Sequence, residues 1–336
     1  MKIGNINIDR PIILAPMEDV TDISFRLICK ELGADIMYTE FVNAEGLARQ
    51  SEKTKEKMFF LNEERPFGIQ LYGGGDVSME VATEIASSLE PDIIDINCGC
   101  WVKNVALNGA GAGLLRDLPQ MKKIVEAVIS KTKIPVTVKT RLGWDAENIN
   151  IIEVSKMLED SGVKALTIHC RTRSQANRGT PDYSWIEKIK SQVSIPIFVN
   201  GNIITPEDIK DVFDNTGCDG VMIARGAIEN PWIFQQAKEY LESGKVISVI
   251  SLLEKINITL KHLKLSIQYK GNKRGILEMR KHYSGYLKGI PNISKLRSEL
   301  MLLNSYSEIE NRLNKYIEEQ NNEVEQIAKN LETIAV

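Results

Sequence analysis

The sequence predicts an α/β chain, a TIM (β/α)8 barrel followed by a smaller C-terminal all-helical domain, on three observations. Eight short apolar, β-branched runs recur between Pro11 and Gly226. Amphipathic stretches separate most of them, and after about Glu239 the strand-like runs cease. Strands buried on both faces read as near-continuous apolar runs, and strands alternating with helices over roughly 230 residues fit a closed parallel barrel.

The runs are Pro11–Met17, Ala34–Phe41, Phe67–Gly73, Ile93–Gly99, Pro135–Arg141, Ala165–Arg171, Ile195–Asn202 and Gly220–Gly226. Between them lie Asp22–Leu32, Ser78–Leu89, Leu118–Lys131, Ile151–Ser161 and Pro206–Asn215, spaced as helices packing on one face. Prolines and glycines punctuate the joins, as at Ile134-Pro135, Ile195-Pro196 and Thr205-Pro206. An open doubly wound sheet would carry a glycine-rich turn after its first strand; Ala15-Pro16-Met17-Glu18 stands there instead. Leu252–Tyr269, Gly275–Leu287, Ser294–Asn304 and Ser307–Thr333 read as helices alone, which sets the domains at residues 1–239 and 240–336.

Composition excludes several classes. No apolar run approaches the length of a membrane span, and the N-terminus has no apolar h-region, so a cytoplasmic protein is expected. Five cysteines scattered through 336 residues are too sparse for a disulfide framework and lack metal-site spacing, so no structural metal is expected. The net charge of −3 hides an asymmetry: Lys261–Leu300 holds ten Lys/Arg against Glu278 and Glu299, and Met301–Val336 holds seven Glu against three Lys/Arg. Such a basic stretch marks either an anionic partner or a solvated helical face, and charge alone leaves both open.

Barrel enzymes carry their reactive groups at the C-terminal ends of the strands. Those ends here are Met17, Glu40, Gln70, Asn97, Cys100, Lys139, Arg141, His169, Arg171, Asn200 and Arg225. The set has no Ser–His–acid grouping and no cluster of His and carboxylates for a metal. Amides, cations and one thiol suit an anionic planar cofactor and a planar substrate. Val199-Asn200-Gly201-Asn202 and Ala224-Arg225-Gly226-Ala227 each place glycine just past a strand and before a helix, where backbone N–H groups can approach a phosphate. Glycine is also common at ordinary turns.

The same residues carry a family resemblance. Ala15-Pro16-Met17, Val20-Thr21-Asp22, Thr39-Glu40, Asp95-Ile96-Asn97 with Gly99-Cys100, Gly109-Ala110-Gly111, Val136-Thr137-Val138-Lys139 with Arg141-Leu142-Gly143-Trp144, Ile168-His169 with Arg171-Thr172-Arg173, and Cys218-Asp219-Gly220-Val221-Met222-Ile223 resemble the dihydrouridine synthase signatures, in that family's order. The likeness runs from about Lys2 to Pro231 and continues more weakly into Glu278-Met279-Arg280-Lys281-His282 and Tyr286-Leu287-Lys288-Gly289.

The resemblance implies bound FMN, NADPH as hydride source, and reduction of uridine in tRNA. It implies that Pro16 and Met17 line the flavin face, that Gln70, Lys139 and His169 bond its ring, and that Asn200, Gly201, Asn202, Ala224 and Arg225 form the phosphate end. Cys100 would protonate C5 of uracil after hydride reaches C6, and Asn97 and Arg141 would grip the uracil edge. A thiol titrating near 8.5 is mostly protonated at neutral pH and can serve as a general acid. Lys273, Arg274, Arg280, Lys281 and Lys288 become expected RNA contacts, with Arg280 and Lys281 the strongest.

Bland readings stand beside these. Cys29 and Cys218 read as buried small hydrophobes, and Cys98 as pointing into the barrel wall. His262 and His282 fall in the basic stretch, where surface and RNA-contact roles are both open. The chain departs from the family at Trp101 (usually proline), Cys98, Cys170, Asn202, Ala224 and Asn177-Arg178-Gly179-Thr180, which bears on target and rate. Rival readings are a non-catalytic RNA-binding barrel, rRNA in place of tRNA, and a flavin oxidoreductase acting on a free pyrimidine. Nothing in the sequence sets the oligomeric state, and a monomer is the default.

Overall fold

The structure is a computed structural model, which describes the backbone of residues 1–334 and the side chains of residues 1–322. Eight parallel strands form the barrel: β1 (Ile12–Leu14), β2 (Met37–Tyr38), β3 (Phe67–Tyr72), β4 (Ile93–Cys98), β5 (Val136–Arg141), β6 (Leu166–His169), β7 (Ile197–Asn200) and β8 (Gly220–Ile223). Each pairs with its sequence neighbour, and β8 returns to pair with β1. Closure between β1 and β2 rests on a bridge from Ile13 to Ile36, with the Leu14 N–H donating to the Ile36 carbonyl at 3.0 Å. All eight apolar runs are strands, and a short extension, Val42–Asn43, pairs with the end of β3.

The sequence did not suggest the antiparallel pair Lys2–Ile3 and Ile6–Asn7. Its Ile3 and Ile6 are buried with Ile13, Tyr38, Phe198 and Met222, so apolar side chains seal the N-terminal end of the barrel. Gly68 of β3 makes room for the Tyr38 ring, because a Cβ there would lie 2.4 Å from it. Above this layer the inward positions turn polar: Gln70, Asp95, Asn97, Thr137, Lys139, His169 and Asn200. The barrel interior is therefore apolar below and hydrogen-bonded above.

The surrounding helices start where the sequence supplies caps. Asp22 accepts the N–H groups of Ser24 and Phe25, and Thr205 with Asp208 forms a capping box before Pro206. The chain divides into two compact units, Met1–Ala227 with Trp232–Ile247, and Ile228–Pro231 with Ser248–Val336. Within the first unit, helix Ile233–Ser243 buries Ile233, Phe234 and Ala237 and packs on helix Pro206–Thr216.

The second unit consists of helices Leu252–Lys270, Asn272–Met279, Tyr283–Tyr286, Ile293–Leu300 and Tyr306–Ile334, the last extending into residues whose side chains lie outside the described set. The expected helix Gly275–Leu287 is two helices with a turn at residues 280–282. Ile256, Leu263, Ile276, Met279, Tyr283, Tyr286, Leu296, Leu300, Ile309 and Leu313 form its buried core. His262 and His282 belong to that core too, 1% and 2% exposed, with ring centroids 4.6 Å apart and the Tyr286 hydroxyl 3.0 Å from His262 Nδ1. A surface role for either histidine is thereby corrected. No helix among the described residues is long and apolar enough to cross a membrane.

Candidate active site

A cavity of about 220 Å³ opens at the C-terminal end of the strands. Ala15, Pro16 and Met17 line one wall, Lys139, Arg141 and His169 another, and Asn200–Ile204 with Ala224–Gly226 a third. Trp101 and Asn177 contribute from loops. Three cations and no carboxylate face this space, so an anionic occupant is favoured.

Beside the cavity a hydrogen-bond chain fixes the thiol loop. Asp95 accepts from Thr137 Oγ1 at 2.5 Å and from Gln70 Nε2 at 2.6 Å. Gln70 Oε1 accepts from Asn97 Nδ2 at 2.9 Å, and Asn97 Oδ1 accepts the N–H groups of Gly99 at 3.1 Å and Cys100 at 2.9 Å. Burial raises the Asp95 carboxyl to about 6, partly offset by these donors and by Lys139. A polar chain satisfied at each link is rigid, and here it runs from the barrel interior to the loop bearing Cys100. The sequence motifs include Asp95 and Thr137 but assign them no role. The signal was a carboxylate inside an otherwise apolar strand.

The cations are individually held. Lys139 Nζ donates to Asn200 Oδ1 at 3.2 Å, and Asn200 Nδ2 donates to the Met222 carbonyl at 2.7 Å, so one amide ties β5, β7 and β8 together. Burial, then the neighbouring Arg141 charge, lowers the Lys139 ammonium to about 8. Arg141 donates from Nε to the Gly99 carbonyl at 2.8 Å and from Nη1 to the Thr172 and Ala176 carbonyls at 3.0 and 2.8 Å. Most of its fork therefore braces loops, and Nη2 is the remaining nitrogen.

His169 is neutral at pH 7, because burial and then the charges of Arg141, Lys139, Arg171 and Arg225 hold its pKa well below the usual range. Its Nε2 lies 3.3 Å from Arg171 Nη1. Guanidinium can only donate, so Nε2 carries the lone pair and Nδ1 the proton. Arg171 Nη2 and Arg225 Nη2 also donate to Asn202 Oδ1, at 2.9 and 3.2 Å. Gly201 and Asn202 both have positive φ, +128° and +47°, and a Cβ on Gly201 would lie 3.2 Å from His169. Glycine there keeps the cavity edge clear.

Burial raises the Cys100 thiol above its usual range, while the N–H of Val102 and the charges of Arg141 and Lys139 oppose the rise. The other four cysteines are buried, and all five are free thiols. Outside the cavity, Glu18, Asp19 and Glu40 bring ligand atoms within 4.8 Å of one another. Lys57 pairs with Glu18 and the Asp19 N–H with Glu40, so two of these carboxylates already have partners.

A family model described as Dihydrouridine synthase (Dus) matches residues 13–322. The chain belongs to the dihydrouridine synthase family. It is 37% identical over 298 residues to tRNA-dihydrouridine synthase B of Pseudomonas syringae pv. tomato, covering 89% of this chain and 88% of that one. It is 38% identical to tRNA-dihydrouridine synthase B of Pasteurella multocida, covering 87% and 88%. Among solved structures, an old yellow enzyme homologue from Zymomonas mobilis superposes with a TM-score of 0.50 at 14% identity, covering 76% of this chain and 94% of that one. That likeness is one of barrel fold.

In this dihydrouridine synthase the cavity gathers Pro16, Met17, Lys139, Arg141, His169, Asn200, Gly201, Asn202, Ala224 and Arg225 from the residues singled out in the sequence. Gln70 and Asn97 sit behind it in the hydrogen-bond chain, and Cys100 adjoins it through Trp101. Arg280 and Lys281 belong to the second unit, both half-buried, where Arg280 Nη2 donates to the Leu303 carbonyl and to Asn304 Oδ1, each at 3.3 Å. Lys273, Arg274 and Lys288 are exposed there.

Proposed function

We propose that this dihydrouridine synthase reduces uridine in tRNA to 5,6-dihydrouridine, with FMN in the barrel cavity and NADPH as the source of hydride. Bound FMN would supply two-electron hydride chemistry. The donor set fits such a group: Pro16 and Met17 offer an apolar face, and Gly201, Asn202, Ala224 and Arg225 an electropositive edge suited to a phosphate. Lys139, Gln70 and the Nδ1–H of His169 supply donors for a planar polar ring.

The chain's own part is to orient the uracil and move one proton. Asn97 keeps one N–H uncommitted and Arg141 its Nη2, which suit the carbonyl edge of uracil. Hydride at C6 and a proton from Cys100 Sγ at C5 add two hydrogens across the double bond; NADPH leaves as NADP+. A thiol with a raised pKa holds that proton through neutral pH. The observation that carries the reading is a carboxylate-free, tri-cationic cavity with Cys100 clamped beside it by Asn97. The second unit, with Lys273, Arg274, Arg280, Lys281 and Lys288, is the proposed RNA-binding part. A tRNA substrate supports a cytoplasmic location, and a monomer remains the default expectation.

Mass-spectrometric mapping of dihydrouridine in tRNA and rRNA from a deletion strain tests this. A tRNA site lost on deletion, restored by the wild-type gene and not by Cys100→Ala, supports it. A change confined to rRNA moves the substrate. No change at any site overturns the reaction and leaves a non-catalytic RNA binder.

A further inference from the structure

The chain has four tryptophans, and three are already engaged. Trp144 carries the guanidinium groups of Arg116 and Arg173, 4.8 and 4.6 Å from its ring centre. Trp185 carries Lys188 Nζ at 4.5 Å, and Trp232 is 5% exposed. Trp101 is different: it is 40% exposed, it lines the cavity, and among the described residues no cation or ring stacks on it.

Its backbone is nonetheless held. The preceding residue is clamped by the Asn97–Cys100 hydrogen bond and by the Ala112 N–H donating to the Cys100 carbonyl at 3.1 Å. Arg141 holds Gly99 from the other side. An exposed indole on a fixed backbone at a cavity mouth is an apolar surface oriented before any ligand arrives. Val102 and Leu107 on the same loop are 45% and 56% exposed, and exposed Lys103 lies between them, so one cation stands among exposed apolar groups. That pairing matches single-stranded RNA, whose bases stack on aromatic faces while its phosphates seek cations.

We infer that Trp101 is a stacking platform for the base next to the target uridine, a contact that selects the RNA neighbourhood of the modified site. This rests on the reading of the cavity as the uridine site. Burial orders the two neighbours: Cys100 is half-buried and Trp101 stands further out, so the thiol meets the uracil and the indole meets the base left outside. Any base offers a π-face, so the preference is graded by stacking strength, with purines ahead of pyrimidines.

The test uses the full-length flavin-loaded protein and five-nucleotide RNAs with one central uridine flanked by abasic residues. Adenine is restored on the 5′ or the 3′ side, and affinity is read by fluorescence anisotropy of an end label. Restoring the base on one side should tighten binding to the wild type by about 5- to 150-fold. Trp101→Ala should abolish that increment, and Trp101→Phe should keep most of it. The inference is overturned if neither base tightens wild-type binding, or if the increment survives in Trp101→Ala. It is equally overturned if Trp101→Ala weakens only the fully abasic probe, which would put the indole on the uracil itself. An increment seen in a protein that forms no dihydrouridine would retain the platform and remove the reaction. Dihydrouridine formation without an increment would do the reverse.

Discussion

Asn97 Oδ1 accepts the backbone N–H of Cys100 at 2.9 Å, so a strand residue sets the position of a loop residue three places on. The same side chain reaches back to Gln70. Asn97→Ala removes both ends of this link and lets the thiol drift. A misplacement of about 1 Å can cost about a hundredfold in rate, so kcat should fall by about that factor. Flavin content, read from visible absorbance, should hold, and an unchanged kcat would show that the clamp is idle.

The raised pKa of Cys100 makes a signed prediction for pH. A general acid works while protonated, so kcat should stay level through neutrality and decline only above the ordinary thiol value of about 8.5. Cys100→Ala should lower kcat by about 10²–10⁴. Iodoacetamide should label Cys100 slowly at pH 7, and rapid labelling there would contradict a protonated thiol.

Lys139 at about 8 titrates within reach of ordinary buffers. An anionic ligand beside it favours the ammonium and raises its pKa on binding. Flavin affinity should therefore be level below about 8 and fall by up to about tenfold per pH unit above it. Titrations followed by quenching of flavin fluorescence would show the slope, and Lys139→Met should flatten it. A flat wild-type curve would place Lys139 away from the anion.

Stability has its own point of leverage at Arg26 and Glu64, paired at 2.6 Å with side chains 3% and 0% exposed. Arg26 also donates to the Thr21 and Phe59 carbonyls, each at 2.9 Å. Arg26→Met strands a buried carboxylate and should cost about 3–5 kcal/mol in urea denaturation. Adding Glu64→Gln should recover part of the loss, since the uncompensated charge is then gone.

In the helical unit, Lys273 is exposed and has no carboxylate partner among the described residues, whereas Arg274 is paired with Glu278. If Lys273 meets an RNA phosphate, Lys273→Ala should reduce the slope of log K against log salt by roughly 0.7–0.9. An unchanged slope would remove it from the contact surface.

How legible these features were in sequence follows from burial. The eight strands could be read because a strand covered on both faces is largely apolar, and Ile12–Leu14 and Gly220–Ile223 show it plainly. The N-terminal pair was not, because two-residue strands carry no period. The turn at 280–282 was hidden since Ile276, Met279, Tyr283 and Tyr286 keep helical spacing straight through it. The rim positions of the site followed from the barrel rule. Their partners did not: that Arg141 spends two nitrogens on loop carbonyls, or that Asp95 anchors Gln70, depends on loops whose course no local pattern encodes.

The seal of Ile3 and Ile6 across the base of the barrel has a kinetic consequence. With the lower end filled by side chains, the cavity is reached from the C-terminal end of the strands. On the proposed reaction a nicotinamide donor and the RNA would share that end, so each would come and go before the other is served. Turnover should then show parallel double-reciprocal lines, and a large excess of either substrate should slow the half-reaction of the other.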